Sequence, residues 1–393
     1  MSQVSPNGAR KLFFAHLSSF SGVNAAVKDS LCAQLPDLDI VSFDVWRFLT
    51  SKRFLLAYLV LGTVLEYGLP ALRSRNTLIE HIMKSRRFFD LATRVIHDRI
   101  SAESNVAAVL QTQGLFNAKA PGKPLIIYTD DVIESSAPRT FETVTISADV
   151  VRRERRLYAD ADQIAVAASH VLASLSAGYG RVDRVHVIFE GANSPAVRSV
   201  APDRYRKRRL LFVGVEWERK GGPELVDAFL KVLPRFPNAR LTIAGCRPAI
   251  AHPNIDVRGR MSFAEVSDLY ASHSIFCLPS RVEPFGISTI EASHAGLPTV
   301  GTETGGFLDT IVQGKTGFRV PVSDTGALAI ALDTLLADPD LCRRFGEAGR
   351  LYAAQNFTWP IVATKLGALI TDAIEQHAAR PAADALAASA GEA

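Results

Sequence analysis

The sequence predicts an α/β protein made of two doubly wound, Rossmann-like domains. Three observations carry this. Short apolar runs alternate with longer amphipathic ones, there are more such runs than one sheet holds comfortably, and a stretch without apolar periodicity divides them.

In the first half, KLFFAH (11–16), NVAAVLQT (105–112), PLIIYT (124–129), QIAVAAS (163–169) and RVHVIFE (184–190) read as strands. Each is a brief apolar run bounded by turn formers, as expected of strands covered on both faces. RLLFVG (209–214), RLTIAG (240–245), IDVRG (255–259), SIFCLPS (274–280) and LPTVGT (297–302) do the same in the second half. Helical spacing fills the gaps at 221–233, 263–272, 287–296 and 325–336. The divide falls in GANSPAVRSVAPDRYRKRR (191–209), which holds two prolines and a basic cluster. The expected domains are therefore 1–194 and 195–359, with a C-terminal helix at 360–378 returning to the first. The Ala-rich tail 379–393 is expected to be disordered.

The 393 residues are 48% hydrophobic and 21% charged, enough apolar material for more than one core. A net charge of +4 is too small to argue for nucleic acid, and no aromatic or motif signal supports such a partner. Cys32, Cys246, Cys277 and Cys342 are scattered without metal-ligand spacing and read as buried thiols of a reducing compartment. The N-terminus, MSQVSPNGARKLFFAHLSS, lacks the long apolar core of a secretory signal, so a cytoplasmic location is expected.

FLLAYLVLGTVLEYGLPAL (54–72) complicates this picture. It is strongly apolar and flanked by Lys52, Arg53, Arg73 and Arg75, but holds Gly62, Glu66 and Pro70. Core packing is the first reading, docking on a membrane surface the second, and spanning the third. The basic runs RRERR (152–156) and RYRKRR (204–209) read first as a solvated helix face and a solvated linker, and second as contacts to anionic lipid.

The most informative stretch is EPFGISTIE (283–291), after the strand SIFCLPS. Pro284 and Gly286 suit a tight turn, and the residues after them start a helix. Glu283 is then a strand-end residue, and Glu291 lies inside the helix. Unpaired amides at the helix start attract anions. Two carboxylates roughly 8–12 Å apart around such a start suit a ligand with hydroxyls at both ends and phosphate between, the layout of a nucleotide sugar. By itself the pair reads equally well as a dipole-stabilising glutamate and a solvated one. Lys220, after the strand LLFVG and before Gly221-Gly222, stands where a flexible cation reaches phosphate. Gly305-Gly306 forms a further strand-end loop. Asp160-Ala161-Asp162 spells D-x-D but precedes a strand, so it is read as helix-end solvation, and no metal site is expected. The nine histidines show no ligand cluster, and His294 is expected to pack.

EPFGISTIEASHAGLPTVGTETGG, FVGVEWERKGG, PNIDVRGRM and FTWPIVATKL resemble the family 4 glycosyltransferases of GT-B fold, which carry an E-x7-E motif. The resemblance spans about residues 105–375 and is most specific over 209–320. It implies that the two domains face each other across a cleft, the first on the acceptor side and the second binding nucleotide sugar. It further implies that Glu283 contacts the donor sugar near the reacting carbon, and that Phe285, Gly286 and Ile287 give backbone contacts. Glu291 would hold the ribose, and Lys220 the diphosphate. Arg260 falls where the family places residues around the base.

The sequence departs from the family pattern at three places. Val215 stands where an arginine often follows the F-V-G strand end, with Arg219 the nearest substitute. Asp130, or secondarily Asp131, replaces the usual histidine. Ser21-Gly22 stands in for the N-terminal Gly-Gly loop. The implied reaction is sugar transfer from a UDP- or GDP-sugar to a glycan or lipid-linked acceptor hydroxyl, with retention and without cofactor. A GT-B-fold epimerase and a non-catalytic nucleotide-sugar-binding module are the alternatives.

Overall fold

The computed structural model describes residues 10–18, 22–133, 148–179, 183–194 and 203–390. The chain forms two compact units, one of residues 1–167, 171–188 and 363–393, the other of 168–170 and 189–362. Ser21 and residues 391–393 of the tail lie outside the described residues.

The first unit holds β1 (Arg10–His16), β2 (Leu38–Asp44), β3 (Val106–Thr112), β4 (Leu125–Thr129), β5 (Gln163–Val166) and β6 (Val185–Val187) in one sheet of order β2-β1-β3-β4-β5-β6. All its pairings are parallel. The second unit holds β7 (Arg209–Val213), β8 (Arg240–Ala244), β9 (Ile255–Gly259), β10 (Ile275–Cys277), β11 (Thr299–Thr302) and β12 (Gly317–Val320), ordered β12-β11-β10-β7-β8-β9 and again wholly parallel. Parallel strands need crossovers, and amphipathic helices supply them, as the alternation predicts. The central strands are apolar because both their faces are covered: Leu210, Leu211, Phe212, Ile275, Phe276 and Cys277 are each 1% exposed or less.

The structure corrects several sequence readings. The segment 54–72 is not a core helix. Helix Arg53–Tyr67 fully buries only Leu59, Gly62 and Thr63, while Phe54, Tyr58, Leu61 and Leu65 stand 50–71% exposed. RYRKRR is not simply a solvated linker. Arg204 is fully buried, and its guanidinium donates to the carbonyls of Ala295 and Gly296 and to the Tyr205 hydroxyl. Those carbonyls end helix Ile287–His294, where unpaired acceptors and the dipole favour a cation. In the D-x-D stretch, Asp162 is buried rather than solvated. It accepts from Lys119 Nζ and, at 2.9 Å, from the Leu125 amide. Cys277 and Cys342 are buried, but Cys32 is exposed and Cys246 half-buried. His294 packs as expected, its Nε2 lying 3.0 Å from the Phe357 carbonyl oxygen.

Candidate functional site

In the second sheet the chain runs outward from β7 through β8 to β9, then crosses back and runs the other way through β10, β11 and β12. Loops leaving the carboxyl ends of β7 and β10 flank this switch, the position at which such sheets form a ligand crevice. Lys220 lies on the loop after β7 and Glu283 on the loop after β10.

Gly221 lets the two loops meet. It holds the left-handed φ of 70°, and a Cβ there would lie 1.9 Å from the Pro279 carbonyl oxygen. With the loops this close, Lys220 Nζ donates to Glu283 Oε2 at 2.6 Å. Ser280 Oγ donates to the same oxygen at 2.8 Å, and Thr302 Oγ1 of β11 donates to the Ser280 carbonyl. The side chains of Lys220 and Glu283 are 15% and 5% exposed. Burial pulls the Lys220 pKa below its ordinary value, Glu283 opposes this, and Arg219 adds to it.

On the other side of Glu283, Gly286 takes a left-handed conformation and starts helix Ile287–His294. The amides of Thr289 and Ile290 donate to the Gly286 carbonyl at 2.8 and 3.2 Å, and those of Ile287 and Ser288 precede the first of these bonds. Gly305 and Gly306 press against this turn. A Cβ on Gly305 would lie 1.8 Å from the Glu283 carbonyl oxygen, to which the Gly306 amide donates at 2.9 Å. The Phe285 ring points into the protein, where it meets Phe189 and Phe357, so only its backbone is available to a ligand.

Glu291 is buried and engaged within its own unit. Its Oε1 accepts from the amides of Asn193 at 3.2 Å and Ser194 at 2.9 Å, and its Oε2 from the Tyr270 hydroxyl at 3.2 Å. Burial pushes its pKa up, against the lowering effect of those bonds. Arg219 braces the neighbouring loop, donating from Nη1 to the Val282 carbonyl and from Nε to Glu216, both at 2.9 Å. Arg260 is exposed and lines a separate recess at the ends of β7 to β9 with Val215, Gly245, Cys246 and Arg247.

The structure thus gathers Lys220, Arg219, Glu283, Phe285, Gly286 and Ile287 around one strand-end crevice, with Glu291 at the base of the helix that starts there. Asp130 and Gly22 belong to the first unit. Asp130 is half-buried just beyond β4, and Gly22 starts helix Val23–Gln34 with φ 86°. Sequence reasoning missed Ser280 and Thr302. Ser280 was legible as a hydroxyl three residues before Glu283, but Thr302 becomes relevant only once β11 is known to pair with β10. It also missed Arg247, whose place beside Arg260 follows from the pairing of β8 with β9. Among the described residues no cluster of three metal-ligating side chains is assembled.

Solved structures share the fold of this chain. Sucrose-phosphate synthase from Thermosynechococcus elongatus superposes with a TM-score of 0.68 at 17% identity, covering 92% of this chain and 98% of that one. Anabaena HepE in complex with UDP and glucose gives 0.66 at 14% identity, covering 92% and 100%. Among curated proteins, a GDP-mannose-dependent α-(1-6)-phosphatidylinositol monomannoside mannosyltransferase from Mycolicibacterium smegmatis is 31% identical over 172 residues, 39% of this chain and 45% of that protein. A D-inositol 3-phosphate glycosyltransferase from Corynebacterium efficiens is 30% identical over 250 residues, 56% and 58% of the two. The chain spans about half the length of these curated relatives. Its two parallel-sheet α/β units have the GT-B fold, and residues 198–352, which contain the whole Lys220–Glu283 crevice, match the family model of the glycosyl transferases group 1.

Proposed function

We propose that this protein is a glycosyltransferase that moves a sugar from a nucleoside diphosphate sugar to an acceptor hydroxyl, with retention at the anomeric carbon. The single observation that carries the reading is the near-buried Lys220–Glu283 pair at the switch point, beside the start of helix Ile287–His294. A departing diphosphate gathers negative charge, and fixed positive groups aimed at it lower the barrier. Lys220 and the amides after Gly286 are such groups, and neither reorganises far to act. Glu283 is held by Lys220 and Ser280, which leaves its second oxygen to accept from a sugar hydroxyl. Arg219 acts through the loop it braces. Glu291 keeps the turn of helix in register with residues 193–194 and presents the remaining capacity of its carboxylate to a ribose. The recess with Arg247 and Arg260 takes the base. The roles of Asp130, as an orienting group for sugar or acceptor, and of Gly22 rest on the family resemblance.

One relative is named as GDP-mannose-dependent, a structural neighbour was solved in complex with UDP and glucose, and the relatives' names include a phosphatidylinositol monomannoside and D-inositol 3-phosphate. A glycan or lipid-linked acceptor follows by analogy. The test is a thermal-shift panel of UDP, GDP and their sugars, followed by turnover with the donor that stabilises best. Transfer lost in Glu283→Ala supports the proposal. Donor isomerisation without acceptor points to an epimerase, and binding with no turnover under any acceptor points to a binding module; either result sinks it.

A further inference from the structure

Six of the thirteen large apolar side chains exposed among the described residues fall within residues 54–72. They are Phe54, Tyr58, Leu61, Leu65, Leu69 and Leu72, between 47% and 75% exposed. Along helix Arg53–Tyr67 the first four recur at steps of four, three and four, which places them on one face. Leu69 and Leu72 extend the stripe through the short turn Leu69–Leu72. The opposite face is fixed to the protein: the Arg87 side chain lies against Gly62 and donates to its carbonyl at 2.7 Å. A contiguous apolar stripe held rigidly outward marks a surface that binds something.

Charge decides what it binds. Lys52 and Arg53 stand exposed at one end of the stripe, and Arg73 and Arg75 at the other. Glu66 is the sole acid between positions 52 and 75. A second copy of this chain would bring like charges together in either orientation, because both ends are positive. A sheet of anionic headgroups over acyl chains matches both features at once. The helix is 15 residues, about 22 Å long, short of the roughly 30 Å of a bilayer core. The helix before it, Val45–Ser51, departs at 101°, and no single described helix is long and apolar enough to cross. The segment therefore lies in the plane of the surface.

The other basic runs are less suited to this task. Within RRERR, Arg152 and Arg153 pair with Asp149, and Arg156 with Asp160. In RYRKRR, Arg204 is buried.

We infer that the face formed by Phe54, Tyr58, Leu61, Leu65, Leu69 and Leu72 seats this protein on an anionic bilayer surface. The inference does not depend on the transferase reading, and its test does not use activity. The full chain is spun with vesicles of pure phosphatidylcholine and with vesicles containing about a third phosphatidylglycerol. Sedimentation with the anionic vesicles should exceed that with neutral ones at least tenfold and fall as salt is raised. The triple variant Phe54→Ser, Leu61→Ser, Leu65→Ser should lose about tenfold of this binding or more, and so should Lys52→Ser, Arg53→Ser, Arg73→Ser, Arg75→Ser. All these side chains are exposed, so both variants should keep the melting temperature of the parent. Equal binding to both vesicle types, no binding to either, or unchanged binding in the triple variant overturns the inference. So does a dimer in sedimentation equilibrium that the triple variant abolishes, since a second copy then covers the face.

Discussion

At the residue scale the site depends on groups that hold Glu283 and Lys220 together from several directions. Lys220→Ala should lower kcat on the order of 10²–10³-fold, since it removes the ammonium paired with the buried Glu283 carboxylate. Steady-state kinetics with the best donor checks this. Ser280→Ala removes a hydroxyl bonded to the same carboxylate oxygen and should cost on the order of tenfold in kcat. Little change in melting temperature should accompany that loss. A comparable fall in stability would mean that Ser280 holds the loop rather than the carboxylate. Gly305→Ala would drive a methyl into the Glu283 carbonyl in a left-handed backbone. It should cost about 1–3 kcal/mol in denaturant unfolding and lower activity together with it. The acidic and basic members of this site were legible from the sequence because each lies on the loop that follows an apolar run. The engagement of Glu291 was not, because its partners Asn193 and Ser194 lie almost a hundred residues upstream in a stretch with no periodicity.

At the scale of the element, legibility follows burial. The ten strands read from apolar runs all exist, though β5, β6 and β10 are well short of their runs. The two strands missed, β2 and β12, are edge strands. In half-exposed LDIVSFD the apolar side chains are broken up by Asp39, Ser42 and Asp44, and GFRV is only four residues long. The run 54–72 misled for the opposite reason: apolar composition reports a preference for leaving water, and not which neighbour provides the cover. Helix Phe263–Ser272 was placed to the residue, and Ser262 and Glu265 close it with a reciprocal capping box. At its other end His273 is buried, with Nδ1 2.7 Å from the Leu269 carbonyl and Nε2 2.9 Å from Thr242 Oγ1. A cation at a helix end is ordinarily favourable, but here burial wins and lowers the pKa from 6.5 to about 4. The folded state therefore keeps a neutral ring while the unfolded chain takes up a proton. Stability present above pH 6.5 should drain away as pH falls towards 4, by about 3 kcal/mol at most. Denaturant titrations at pH 7 and pH 4 should show that share of the pH dependence missing in His273→Gln.

At the scale of the whole molecule, the first unit is discontinuous. It needs residues 363–393, whose helix buries Leu366, Ile370 and Ala373 and packs Gly367 against Gln34 and Leu35. The second unit carries its own apolar core between helices Gly222–Val232 and Thr325–Ala337 and the sheet. A chain cut after residue 362 should lose the melting transition of the first unit and retain that of the second. Calorimetry of both chains checks this, and loss of both transitions would show that the two units unfold as one.

The same discontinuity sets a birth order. During synthesis most of the first unit leaves the ribosome before the second, yet the piece that closes its core, residues 363–393, follows the second unit. The second unit, contiguous but for three residues, has by then already emerged. The unit begun earlier is thus closed after the later one, and until its closing helix arrives the nascent polypeptide exposes the surface around Gln34 and Leu35 that this helix would otherwise occupy.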